Sequence, residues 1–145
     1  MNWLATSTRA TVIPCLAYRD APRAIDWLCR TFGLVQRAVY PDENGNIVHA
    51  ELTFGNGMVM LGSTDRDTSY GRLIAQPDEI GGRQTQTIYL ITDDPDEIHE
   101  RARAAGVEIV LPIEDKSYGG RGFSCRDLEG HVWSFGSYDP WESAR

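Results

Sequence analysis

The chain has 145 residues, of which 41% are hydrophobic, 10% aromatic and 24% charged, the composition of a folded globular protein with one domain's worth of core. A formal net charge of −7 and a pI near 4.9 argue against nucleic acid or an anionic membrane as partner, since either selects a basic face. There is no apolar run near the ~18 residues of a membrane span, no signal-peptide pattern and no CxxC among three cysteines, which points to reduced thiols and a cytoplasmic setting.

Residues 1–10 are polar and rich in Ser and Thr and read as a loose arm. Residues 11–19 are expected to form a strand, with Val12, Leu16 and Tyr18 on one face and Ile13, Cys15 and Ala17 on the other. Both faces are largely apolar, which predicts burial on both sides, and Pro14 lacks the N–H for a ladder, which marks an edge-like side. Asp20 caps a helix over 21–32, with Pro22 in its first turn, Ala24, Ile25, Leu28 and Phe32 as its apolar stripe and Gly33 as its stop. Trp27 is expected on the outer side of this helix, as the mark of a subunit contact. Strands follow at 34–40, 47–54 and 58–61, the first two joined by the turn Asp42-Glu43-Asn44-Gly45-Asn46 and the last two by a turn ending at Gly57.

Residues 63–84 are polar and turn-rich and read either as a linker or as a flap beside a site. The order of elements then recurs. A strand at 85–92 leads to a helix capped by Asp93 or Asp94, with Ile98, Ala102 and Ala105 as its stripe and Gly106 as its stop. A strand at 107–111, a loop at 112–118 and a hairpin with strands 123–126 and 131–136 complete the chain. In the hairpin, Trp133 and Phe135 share the core face, and Val132 and Ser134 the other.

Asp20 and Asp93, Ile25 and Ile98, Gly33 and Gly106, and Gly57 and Gly130 are each 73 residues apart. The reading is an α+β protein of two βαβββ modules, 11–62 and 85–138, joined by the connection at 63–84 into one domain. One helix covers only one face of a four-stranded sheet. The other faces are expected to curve around a trough, with the helices outside. Alternation assigns to the trough Ile13, Cys15, Ala17, His49, Glu51, Thr53, Val59 and Leu61 from the first module, and Gln86 or Thr87, Ser124, Arg126, Val132 and Ser134 from the second.

The stretches IPCLAYRDAPRAIDWLCRTFG, HAELTFGNGMVMLG and YGGRGFSCRDLEGHVWSFGSYDPW resemble the vicinal oxygen chelate superfamily, in its glyoxalase and bleomycin-resistance branch. The resemblance covers about residues 11–141 and speaks to fold more than to chemistry, because lyases, dioxygenases and ligand-sequestering proteins share this scaffold. It implies metal ligands seven residues before each helix-capping Asp and four after each hairpin Gly. Those slots hold Ile13, Leu61, Gln86 or Thr87, and Ser134. Ile and Leu cannot coordinate, and a single amide oxygen does not hold a divalent ion, so no metal cofactor is expected.

The expected function is therefore metal-free binding of a small organic ligand, with His49, Glu51, Arg126, Ser134, Cys15 and Gln86 as ligand-binding candidates. His49, Glu51 and Arg126 are expected to lie close enough to interact and to offer both acceptors and a fork of donors. His49 and Glu51 are also the catalytic candidates of the alternative, a glyoxalase-like lyase, isomerase or dioxygenase using an acid–base couple or an unusual divalent-metal site. His99 is expected on the solvated surface, His131 in a structural role and Cys15 as small apolar filler. Tyr138 and Trp141 lie in a tail that folds over a partner or a pocket mouth, and a homodimer is expected.

Overall fold

The computed structural model describes residues 3–142. Residues 1 and 2 of the expected N-terminal arm lie outside the described residues. The elements run β1 (Cys15–Tyr18), α1 (Ala21–Phe32), β2 (Val35–Pro41), β3 (Ile47–Phe54), β4 (Gly57–Ser63), β5 (Ile88–Ile91), α2 (Pro95–Ala104), β6 (Ile109–Asp115), β7 (Arg121–Arg126) and β8 (Val132–Gly136). The fold is α+β, and the described residues form two helices and two four-stranded mixed sheets of order β1-β4-β3-β2 and β5-β8-β7-β6. In each sheet the first and last strands pair in parallel and the other pairs are antiparallel. Among the described residues no helix is long and apolar enough to cross a membrane.

The chain divides into two compact units. The first holds the residues up to Cys29 and Leu34–Ile74, and the second holds Arg30–Gly33 and the residues from Ala75 on. The division thus falls inside the expected connection at 63–84, which carries two short 3₁₀ turns, Gly71–Leu73 and Pro77–Ile80.

In the first unit, Asp20 Oδ1 accepts the Arg23 amide at 3.2 Å and starts α1, whose end at Gly33, with φ of 82°, belongs to the second unit. Ala21, Ala24, Ile25 and Leu28 are buried. Trp27 is buried too, at 8% exposure, which overturns its expected place on the outer side of the helix. Ala50 and Leu52 of β3 are fully buried and pair with Leu61 and Val59 of β4. Partners in a ladder point to the same side of a sheet. Val59 and Leu61 therefore lie on the buried face, and the expectation that they share the face of His49 and Glu51 is corrected. Met58 and Met60, opposite Thr53 and Glu51, take that place. β1 is an edge strand, as Pro14 suggested, but Cys15 is exposed, so the strand is covered on one side only. The β3–β4 turn rests on Gly55, with φ of 57°, and Gly57 is already the first residue of β4.

In the second unit, the cap of α2 is Asp94, whose Oδ1 accepts the Glu97 amide at 3.2 Å. Pro95, Ile98 and Ala102 are buried, while Ala105 lies past the helix and is exposed. α2 packs on β6, β7 and β8. Phe123, Cys125, Trp133 and Phe135 form the buried face beneath it, and Phe32 adds its ring at 5.4 Å from Trp133 and 4.8 Å from Phe135. His99 is half-buried, edge-on to Phe123 at 5.0 Å, rather than free on the surface. β6 continues through Pro112 to Asp115, where a loop was expected. Asp127 organises the β7–β8 turn. It is 4% exposed, its Oδ1 accepts the Glu129 and His131 amides, and its Oδ2 accepts Trp133 Nε1 at 2.9 Å.

Candidate functional site

The open face of the first sheet carries a polar row built by a bulge. Gln36 pairs with Leu52 and Ala38 with Glu51, so Arg37 is the extra residue between them. Its Nε sits 3.2 Å from Glu51 Oε1. The other carboxylate oxygen, Oε2, accepts His49 Nε2 at 3.0 Å, which strand alternation makes possible because residues two apart share a face. Tyr40, the ladder partner of His49, stacks on its ring with centroids 6.0 Å apart. The hydrogen bond from His49, helped by the charge of Arg37, holds the Glu51 carboxyl below its usual range. With Nε2 facing Glu51, Nδ1 is the ring nitrogen of His49 left to meet a ligand. Cys15, opposite Met60, lies exposed on the same face.

The open face of the second sheet carries a recess of about 150 Å³. Register places Ser124 opposite Ser134, and Tyr89 opposite Ser134 from the other side. Their neighbours in the ladder, Gly122 and Gly136, have no side chains, and the Tyr89 ring lies over Gly136. A Cβ on Gly122 would meet the Phe135 carbonyl at 2.6 Å, so only glycine fits there. Tyr118 and Tyr138 line the recess from the segments flanking β7 and β8, with Leu111, Lys116 and Arg121. Tyr138 thus faces a pocket, whereas Trp141 is 87% exposed.

Of the residues singled out in the sequence, Ser134 lines this recess and Cys15, His49 and Glu51 share the open face of the first sheet. Gln86 is exposed and precedes β5. Arg126 Nη1 donates to the Gly130 carbonyl at 2.9 Å and its Nε lies 3.4 Å from Glu108, so it braces its own hairpin. His131 is buried with Nδ1 3.2 Å from Gln84 Nε2, while Gln84 Oε1 accepts the Val132 amide at 2.6 Å. These bonds pin the connection to β8, a structural role. Sequence reasoning missed Arg37, Tyr89 and Tyr118, and placed Tyr138 alone of the three tyrosines at a pocket mouth. The tyrosines are scattered along the chain, and only the pairing of β5, β7 and β8 gathers them.

The family model of the Glyoxalase/Bleomycin resistance protein/Dioxygenase superfamily matches residues 9–135. The chain belongs to this superfamily. An uncharacterized protein of Mycobacterium bovis is 32% identical over 133 residues, covering 92% of this chain and 86% of its own length. The crystal structure of TioX from Micromonospora sp. ML1 is 38% identical with a TM-score of 0.67, covering 88% of this chain and 97% of that one. FosX, a fosfomycin resistance protein from Listeria monocytogenes, is 15% identical with a TM-score of 0.63 over 97% and 99% of the two chains, a likeness of fold alone.

The superfamily's metal slots can now be assigned on register. Asp94 as the cap makes Thr87, not Gln86, the slot seven residues before the second helix. In β8 the slot is Ser134, and the residue with the same ladder place in β4, opposite β3 and β1, is Met60 rather than Leu61. An isoleucine, a thioether and two hydroxyls do not suit a hard divalent ion. Among the described residues no three His, Cys, Asp or Glu side chains gather where they could hold a metal.

Proposed function

We propose that this protein binds a small organic molecule on the open faces of its sheets, without a metal ion and without turning it over. The observation that carries this reading is the recess between Tyr89, Tyr118 and Tyr138, apolar walls with a few convergent polar groups, as ligand sites are built. The donor set of the superfamily's metal slots supports the metal-free part. The ligand-binding residues of this proposal are Cys15, His49 and Glu51 on the face of the first unit and Gln86, Arg126 and Ser134 in the second, each set within its own unit. Glu51→Gln weakens binding by about 1–3 kcal/mol with the fold intact, and Arg126→Ala weakens it by about as much while also loosening the hairpin that Arg126 braces. The protein acts in the cytoplasm as a homodimer, so light scattering at micromolar concentration gives twice 16.2 kDa.

The test is thermal-shift screening of metal-stripped protein against metabolites and antibiotics, because a ligand that binds only the native state raises the midpoint by mass action. It is paired with elemental analysis and with assays on hemithioacetal and catechol substrates. A compound that stabilises the stripped protein supports the proposal. Stoichiometric metal together with turnover overturns it.

One arrangement favours a second reading, a glyoxalase-like lyase, isomerase or dioxygenase with an atypical site. Arg37, Glu51 and His49 form a chain in which a carboxylate orients an imidazole, as a general base requires. On that reading turnover is found and His49→Ala abolishes it.

A further inference from the structure

We propose that the recess on the open face of the second sheet seats one neutral, flat aromatic ring bearing a single hydrogen-bonding group, which meets the Ser124–Ser134 hydroxyl pair. The inference rests on reading the protein as a small-molecule binder and names the chemistry of the ligand.

Size limits the occupant. The recess holds about 150 Å³. An engineered apolar cavity of about that volume takes up one benzene. Drug-sized ligands fill roughly 300 Å³ or more, so any larger ligand places one ring here and keeps the remainder outside.

Shape selects a flat group. Tyr89 Oη donates to the Tyr138 carbonyl at 2.7 Å. A Cβ on Gly136 would lie 2.7 Å from that Oη and 3.1 Å from Tyr89 Cε1, so the ring is laid across a residue with no side chain. Tyr138 in turn meets Tyr118 edge-on, with centroids 4.9 Å apart at 84°. Rings held in place by a hydrogen bond and by one another present faces and edges that another ring complements better than a puckered group does.

The polar group is set by the serines. Their hydroxyls are 2.6 Å apart, and neither has a second partner among the described residues. Two hydroxyls carry two protons and only one lies between them, so one O–H and several lone pairs remain for a ligand. Charge sets neutrality. Lys116 Nζ is 3.2 Å from Glu114, and the Arg121 guanidinium binds both oxygens of Asp96 and reaches Asp115. Two cations beside the recess face three carboxylates, which leaves nothing to offset the desolvation of an anion. Burial pushes the Tyr89 phenol up, which keeps that wall neutral as well.

The experiment is an amide NMR titration of the full chain with phenol, toluene, cyclohexanol and benzoate. Phenol is expected to shift the amides of Gly122, Ser134, Gly136 and Tyr138, and to bind about fivefold more tightly than cyclohexanol and than benzoate. Ser134→Ala is expected to weaken phenol about fivefold and to leave toluene unchanged. Benzoate or cyclohexanol binding as well as phenol overturns the proposal, as do phenol shifts that map elsewhere or equal loss of toluene in the variant. If none of the four binds while another compound from the thermal screen shifts the same amides, the ring inference falls and the binder reading stands. If the screen yields no compound, both fall.

Discussion

Trp133 supplies the sharpest test of the packing. It is fully buried, its ring lies 5.4 Å from Phe32 and 6.5 Å from Phe135, and its Nε1 donates to Asp127 at 2.9 Å. Two substitutions separate packing from hydrogen bonding. Trp133→Phe keeps an aromatic ring in the core and loses the bond to a carboxylate, at a cost of about 1.5–3 kcal/mol. Trp133→Ala removes the ring as well and costs about 3–5 kcal/mol, a large part of the ~5–15 kcal/mol that holds a domain together. Urea unfolding followed by far-UV circular dichroism reads both. With a slope of about 2 kcal/mol per molar, the Phe variant loses roughly 1 M in its midpoint. Asp127→Asn in the Trp133→Phe background costs less than in the wild type, because the indole bond is already gone. A cost below about 1 kcal/mol for Trp133→Ala would refute the burial argument. Equal costs for the Phe and Ala variants would show that the hydrogen bond, not the packed ring, carries the site.

Three further outcomes are expected. Gly120 has φ of 74°, and a Cβ there would meet the Tyr138 amide nitrogen at 2.5 Å, so Gly120→Ala lowers stability by more than about 1 kcal/mol in the same urea assay. Glu51 is held below its ordinary carboxyl value of 4.5 by His49 first, so its contribution to stability is present above that value and is lost as pH falls through the lowered one. Carbon-detected NMR of Glu51 follows this, and His49→Ala raises the midpoint. Burial pushes the Cys125 thiol up to about 12, whereas Cys15 is exposed. Iodoacetamide with peptide mass mapping therefore finds Cys15 alkylated first and Cys125 only after unfolding.

Much of this protein was legible in its sequence, because helices announce their ends locally. Asp20, the apolar stripe and Gly33 place α1 at Ala21–Phe32 without any tertiary information. The Asp-Leu-Glu-Gly turn before Trp133 and the alternation of Trp133 and Phe135 with Ser134 are likewise local signals, and the structure has both. The combined motifs also carried the superfamily, and Ile13 and Ser134 of its metal slots were readable before any geometry, whereas register and the observed cap decided Met60 and Thr87.

What tertiary structure alone decided is which side of each strand is covered, and in what register. Met58, Val59, Met60 and Leu61 are all apolar, so hydrophobic pattern cannot choose a face for β4. The pairing of Ala50 with Leu61 chooses it. The constant offset of 73 residues was partly an alignment of unlike parts. Caps Asp20 and Asp94, and core residues Val59 and Trp133, correspond at 74, whereas Leu52 and Cys125, and the bulges near Arg37 and Val110, correspond at 73. One residue gained in a turn leaves the fold unchanged and reverses which side chain faces out, because the strand period is two. For the same reason Arg37's place beside Glu51 and the gathering of Tyr89 and Tyr118 with Tyr138 were invisible in one dimension, whereas the His49–Glu51 pair follows from strand alternation. Only a bulge brings Arg37 to its place, and only cross-strand neighbours gather the tyrosines.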